Sequence, residues 1–185
     1  MTAPAAGLQP MVLRALAKWP DVPDAYGWLL LDRRGHWRLK NPVNGVFERI
    51  GNAALRGFIA RNYAVDAAGR WFFQNGPQRV FVKLAYTPFV ARIEDGTLID
   101  QCGGRFETGE RWLDDEGSLL VAGPRGVALL HDQDLAHYAG ISGSTLDHLG
   151  RLARGDVPAR FGFDPDPAPR GQQHCQGRIA SPRKG

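Results

Sequence analysis

An α+β, strand-rich fold, made of antiparallel meander or half-barrel hairpins covered by helices, is predicted by three features of this 185-residue chain. The first is the stretch Tyr63 to Asp100, where aromatic and β-branched runs alternate with Asp66-Ala-Ala-Gly69, Asn75-Gly76-Pro77 and Asp95-Gly96. Such runs suit half-buried strands, and Asp-Gly is a strong two-residue hairpin signal. The second is a recurring turn. Asp32-x-x-Gly35-x-Trp37, Asp66-x-x-Gly69-x-Trp71 and Asp114-x-x-Gly117-x-Leu119 each follow an apolar run, at offsets of 34 and 48 residues. Aspartate can bond its own backbone and glycine tolerates positive φ, so each instance reads as a tight turn between strands. The third is that helical periodicity is confined to a few short segments, the clearest being Asn44 to Asn62.

Taken in order, residues 1–9 are Ala/Pro-rich and read as a flexible N-terminus, and Gln9 to Lys18 as a short helix with Pro10 in its first turn and Leu13, Leu16 and Ala17 on one side. Tyr26 to Lys40 forms a first hairpin around the Asp32 turn. In the 44–62 helix, Asn44 is the expected cap, with Phe47, Ile50, Ala54, Leu55, Phe58 and Ile59 on the core face. The meander follows. Trp71 and Phe73 alternate with Phe72, so both faces of that strand should be covered. Arg111 to Val121 and Val127 to Leu130 add strands, Asp134 to Ala139 a helical turn, and Ser144 to Ala153 a helix opened by Ser144-x-x-Asp147. The expected organisation is a compact body over 10–163, in one domain or two lobes of about 10–62 and 63–163, and a disordered Pro/Gly/Arg-rich tail over 164–185.

Hydrophobic residues make up 43% of the chain, with five Trp, nine Phe and four Tyr, enough for an aromatic core. The net charge of +4 and pI near 9.4 raise the question of nucleic acid. Nineteen of the 23 basic residues are arginine, spread along the chain, and half of the excess charge lies in the tail, which argues against a duplex-binding face. Cys102 and Cys175 make an unpromising disulfide pair. Arg14 interrupts the only apolar run near the N-terminus, and no stretch approaches a membrane span, so a cytoplasmic protein without membrane association is expected.

The segment from Asp66 through Gln74-Asn-Gly-Pro-Gln-Arg79 to Arg92, followed by Trp112-Leu-Asp-Asp-Glu-Gly117 and the run to Asp134, resembles a small proteobacterial family without an assigned reaction. The resemblance covers roughly residues 26–140 and is most specific in the Gln74–Arg79 segment. More distantly, the Asp-x-x-Gly-x-Trp-Phe pattern is similar to a bacterial family built from two pleckstrin-homology-like lobes, which implies two such lobes here and no activity.

Catalytic motifs are sparse. His131, Asp134 and His137 form the best ligand-like cluster and would support a metal-assisted hydrolase. On a helix, however, positions 131 and 137 diverge by about 120°. Cys102 lacks a nucleophile's sequence context and reads as a small apolar residue. No dinucleotide fingerprint, phosphate loop or Cys-x-x-Cys is present, so no cofactor is implied. The favoured reading is a non-enzymatic binding or regulatory protein for a small ligand, anionic in character, or a protein partner. Gln74, Asn75, Gln78, Arg79 and Arg92 are the candidate ligand-binding residues, because burial explains the strands but not the polar groups at this turn. The rival account of Arg79 is an ion pair with Glu94.

Overall fold

A computed structural model describes residues 10–19, 21–142 and 149–169. Helix α1 (Pro10–Lys18) comes first, then strands β1 (Ala25–Leu31), β2 (Trp37–Lys40) and β3 (Phe47–Arg49), helix α2 (Ala53–Arg61), and β4 (Tyr63–Val65), β5 (Trp71–Asn75) and β6 (Gln78–Leu84). A second run comprises β7 (Phe89–Glu94), β8 (Thr97–Asp100), β9 (Arg111–Asp114), β10 (Leu119–Gly123) and β11 (Gly126–Leu130). Helix α3 (Leu135–Ser142), β12 (Gly150–Leu152) and helix α4 (Val157–Phe161) complete it.

The fold is strand-rich α+β, in two six-stranded sheets ordered β3-β2-β1-β6-β5-β4 and β12-β9-β10-β11-β7-β8. Each contains a hairpin and a three-stranded meander whose last strand returns parallel to the hairpin's first: β6 beside β1, and β11 beside β7. Five strands therefore follow the same order in both sheets, with β3 and β12 added at one edge each. The sheets are mixed rather than purely antiparallel, since β12 also lies parallel to β9. The stretch Tyr63 to Asp100 is divided between the sheets at residues 85–88, so the 62/63 position falls inside the first sheet. Pro88 lacks an N–H for a ladder, and the Thr87 hydroxyl instead donates to Phe89 O at 2.6 Å and accepts from Leu129 N at 3.1 Å.

A shared aromatic core joins the two sheets. Trp37, Trp71 and Phe73 from the first are buried in one cluster with Phe89, Phe106 and Leu119 from the second. The Trp71 ring meets Tyr63 at 4.8 Å and Phe89 at 4.9 Å, and the Tyr63 hydroxyl donates to Pro88 O at 3.1 Å. Phe72, on the opposite face of β5, packs against Phe81 at 5.8 Å, as the alternation requires.

The Asp-x-x-Gly turns hold the hairpins, and among the described residues four share one geometry, because Asp100-Gln-Cys-Gly103 repeats it. At Asp32, Asp66, Asp100 and Asp114, one carboxylate oxygen accepts from the backbone N–H two and four residues on. The glycine at the fourth position has φ between +75° and +81°, where an L side chain is strained. The second oxygen takes a side-chain partner: Arg38 for Asp32, Arg70 for Asp66, Arg125 for Asp100, and the Tyr86 hydroxyl for Asp114.

Several expectations are corrected. The predicted 44–62 helix is a strand followed by a helix, because Phe47–Arg49 pairs with β2. Its cap is Asn52, whose side chain accepts from Leu55 N at 3.0 Å, not Asn44. In α1 Val12 is buried and Leu13 is exposed. The predicted helix over 144–153 ends in strand β12, where a Cβ on Gly150 would fall 2.4 Å from the Trp112 ring; residues 143–148, with Ser144 and Asp147, lie outside the described residues. Residues 164–166, expected to belong to the tail, are joined to the first sheet: Leu84 N donates to Pro165 O at 2.8 Å, Asp164 N to Gly69 O at 3.0 Å, and Lys83 pairs with Asp166 at 2.7 Å. Residues 1–9 and 170–185 lie outside the described residues.

Candidate functional site

The Gln74–Arg79 segment forms the β5–β6 hairpin, with Gln74 opposite Arg79 and Asn75 opposite Gln78. Gly76 at φ +57° and Pro77 make the two-residue turn. Hairpin construction accounts for two of the expected ligand groups. Gln74 is buried, and its Nε2 donates to Gly76 O at 2.9 Å, closing the turn from within. Gln78 Nε2 donates to Pro23 O at 3.0 Å and ties down the connector before β1. Asn75 is exposed at the hairpin tip.

Arg79 behaves differently. Its guanidinium rests 5.6 Å from the Phe72 ring centroid and its Nε is 3.4 Å from Asp24 Oδ1. Glu94 is not its partner: that residue ends β7 in the other sheet. Arg92 also belongs to the second sheet, where it clasps Asp134 through two bonds of 2.6 and 3.3 Å. The structure therefore does not bring Arg92 to the Arg79 hairpin.

A cleft of about 820 Å³ opens beside Arg79 on the outer face of the first sheet. Asp24 and Tyr26 border it at the start of β1, the Asp66–Ala68 turn and Arg70 form another wall, and Pro169 stands at its rim. The Tyr26 ring lies flat on Phe81, with centroids 4.6 Å apart and planes within 2°, and the Arg70 guanidinium sits 4.7 Å from the same Phe81 ring. Burial, then the neighbouring Asp24, raises the Tyr26 hydroxyl above its ordinary value, so it remains a neutral donor at physiological pH. Burial pushes the Asp66 carboxyl up, but bonds from the Arg70 side chain and from the Arg70 and Ala68 N–H groups more than offset this, and it stays ionised below the usual range. Arg70 is held at 2.7 Å by Asp66, whereas the Arg79–Asp24 contact is longer, at 3.4 Å.

The His131 cluster does not converge. His131 is buried with Nδ1 accepting from Gln133 N at 3.2 Å, and burial followed by the Arg92 charge lowers its pKa. Asp132 Oδ1 lies 2.8 Å from the same nitrogen, but Asp132 is paired with Arg34, and a neutral ring makes no ion pair with it. Asp134 is held by Arg92 and by Ile93 N at 3.1 Å. Among the described residues no three His, Cys, Asp or Glu groups are placed to hold a metal, this trio included. The Cys102 thiol, pushed up to about 12 by burial and then by Asp100, is a poor nucleophile.

Sequence reasoning found Arg79 but not Asp24, Tyr26, Asp66 or Arg70 as its neighbours. Asp24 read as connector and Arg70 as a turn residue. The one available clue was an arginine four positions after Asp66, within reach of the turn carboxylate.

The family model DUF2944, described as "Protein of unknown function (DUF2946)", matches residues 8–168. No curated protein matches the chain. A solved structure of a DUF1285 family protein from Shewanella baltica OS155 is 14% identical, with a TM-score of 0.45, over 66% of this chain and 96% of that one. A DUF1285 family protein from Silicibacter pomeroyi DSS-3 is 16% identical, with a TM-score of 0.49, over 74% of this chain and 78% of that one. No helix among the described residues is long and apolar enough to cross a membrane.

Proposed function

The chain belongs to the DUF2944 family of proteins of unknown function, and on that premise we propose that it is a non-enzymatic binding protein whose small anionic ligand sits in the Arg79 cleft. One observation carries this reading. Arg79 presents its guanidinium in a concave site with an elongated 3.4 Å contact to Asp24, while neighbouring Arg70 is locked at 2.7 Å. A carboxylate or phosphate can take the Asp24 position on the guanidinium fork, because planar bidentate pairing is what arginine does best. Tyr26 adds a neutral hydroxyl and the edge of an aromatic stack against which a flat ligand body can lie. The lining supplies binding groups rather than a nucleophile and base: Asp66 is occupied by Arg70, and neither His nor Cys borders the cleft among the described residues.

The test is a thermal-shift screen of small carboxylates and phosphates against wild type and Arg79→Gln. A ligand that raises the wild-type Tm and loses that effect in Arg79→Gln supports the site. A ligand that shifts both proteins equally removes it.

A further inference from the structure

A second cleft lies on the other sheet, independent of the Arg79 site, and we propose that it binds the phosphate group of a small phosphate monoester through Arg105 and Arg111. It encloses about 630 Å³. Thr97 approaches from the start of β8, Arg105 to Thr108 from the loop after it, Arg111 from the first position of β9 and Tyr138 from α3.

The argument rests on which arginines have partners. Arg33 and Arg154 share Glu116, Arg34 takes Asp132, Arg38 takes Asp32, Arg70 takes Asp66, Arg92 takes Asp134 and Arg125 takes Asp100. Among the described residues, each of these seven arginines is matched to a carboxylate. Arg105 and Arg111 border one cleft, and neither has a carboxylate within ion-pair distance or a side-chain hydrogen bond among the described residues. Arg111 does have a ring contact, 5.7 Å from the Tyr138 centroid, which orients the guanidinium without neutralising it. Two guanidinium groups lining one concave surface present two positive charges to whatever enters it, which suits a dianion.

Phosphate fits better than a monocarboxylate. Two guanidinium groups match its charge and its several acceptor oxygens, and the Thr97 and Thr108 hydroxyls on the same lining can donate to it. Glu107 also borders the cleft. Its carboxylate disfavours a bare anion filling the whole space and favours a ligand body with hydroxyl or amino donors turned toward it. The cleft volume is several times that of a phosphate ion, leaving room for such a body. Together these features specify a small hydroxylated phosphate monoester, with the phosphate on the arginines and the donor groups toward Glu107.

The test is calorimetric titration of the full-length protein with ribose 5-phosphate, inorganic phosphate and ribose. Wild type should bind ribose 5-phosphate more tightly than inorganic phosphate and should not bind ribose. Arg105→Gln and Arg111→Gln should each weaken ribose 5-phosphate about tenfold or more, the effect of removing one charge-assisted contact. Arg79→Gln should bind it as wild type does, which separates this cleft from the one described above. If Arg111→Gln fails to fold, Arg105→Gln and its rescue by Arg105→Lys carry the comparison. Unchanged affinity in a folded Arg105→Gln protein overturns the proposal, as does absence of phosphate-ester binding by wild type at millimolar concentration. Equal affinity for inorganic phosphate and the ester overturns the assignment of a ligand body.

Discussion

Replacing Asp114 with alanine should destabilise the protein more than any other change at an Asp-x-x-Gly turn. Asp114 is 2% exposed and accepts three hydrogen bonds, from Glu116 N at 3.0 Å, Ser118 N at 2.6 Å and the Tyr86 hydroxyl at 2.7 Å. The first two build the β9–β10 turn. The third ties the second sheet to the segment that joins the sheets. Tyr86 is itself clasped between the Arg33 and Arg154 guanidinium groups, 5.1 and 5.0 Å from its ring centroid, and both arginines pair with Glu116. Alanine leaves the buried Tyr86 hydroxyl without its acceptor, at about 1–3 kcal/mol, and removes two turn bonds worth roughly 0.5–1.5 kcal/mol each. The total is about 2–6 kcal/mol, or a Tm lower by roughly 4–24 °C for a domain of this size. Tyr86→Phe leaves one carboxylate oxygen unpartnered and should cost about 1–3 kcal/mol. Urea unfolding of both single variants and the double variant gives the coupling between them. Non-additivity of roughly 1 kcal/mol or more is expected, because each side chain completes the other. A loss below about 1 kcal/mol for Asp114→Ala, or strict additivity in the cycle, would refute the reasoning.

Three further outcomes are expected. Trp71→Ala should cost about 3–5 kcal/mol in urea unfolding, since the 7%-exposed ring bridges Tyr63 and Phe89 across the sheet interface; full stability would mean that its site collapses without penalty. A chain ending after Phe163 should melt several degrees below one ending after Pro169, because it loses Asp164 and Pro165 as backbone partners of the first sheet and the Lys83–Asp166 pair; equal melting temperatures would show that this docking contributes nothing. Stability should fall as pH drops below roughly 4, since Asp32 and Asp66 titrate below the usual carboxylate range. In both, burial raises the pKa but backbone and arginine hydrogen bonds lower it further, so the stabilisation is complete above the unfolded pKa and disappears as pH falls through the folded one. An Asp32→Asn, Asp66→Asn double variant should lose stability less steeply over that range in acid titrations followed by circular dichroism.

Local chemistry made much of this protein legible in its residues. Asp32, Asp66 and Asp114, each with a glycine three positions on, mark three turns correctly because aspartate, backbone N–H groups and glycine at positive φ all interact within five residues. Asp95-Gly96 and Gly76-Pro77 closed their hairpins for the same reason, and the alternation of Trp71, Phe72 and Phe73 announced a strand covered on both sides. Pairing between distant segments was not legible. Whether Phe47–Arg49 becomes a first helical turn or an edge strand depends on the open ladder of β2, which no local pattern reports. The parallel contacts of β1 with β6 and β7 with β11 join segments separated by tens of residues, and they divide one apparent meander between two sheets. The candidate sites follow the same rule. The sequence alone marked Arg79 as a polar group that burial does not explain. Tertiary structure decided that Asp24 is its loose partner, that Arg92 is bound to Asp134 elsewhere, and that Arg105 and Arg111 share a cleft. Ion pairing falls off within a few ångströms, and only the folded chain determines which charges come that close.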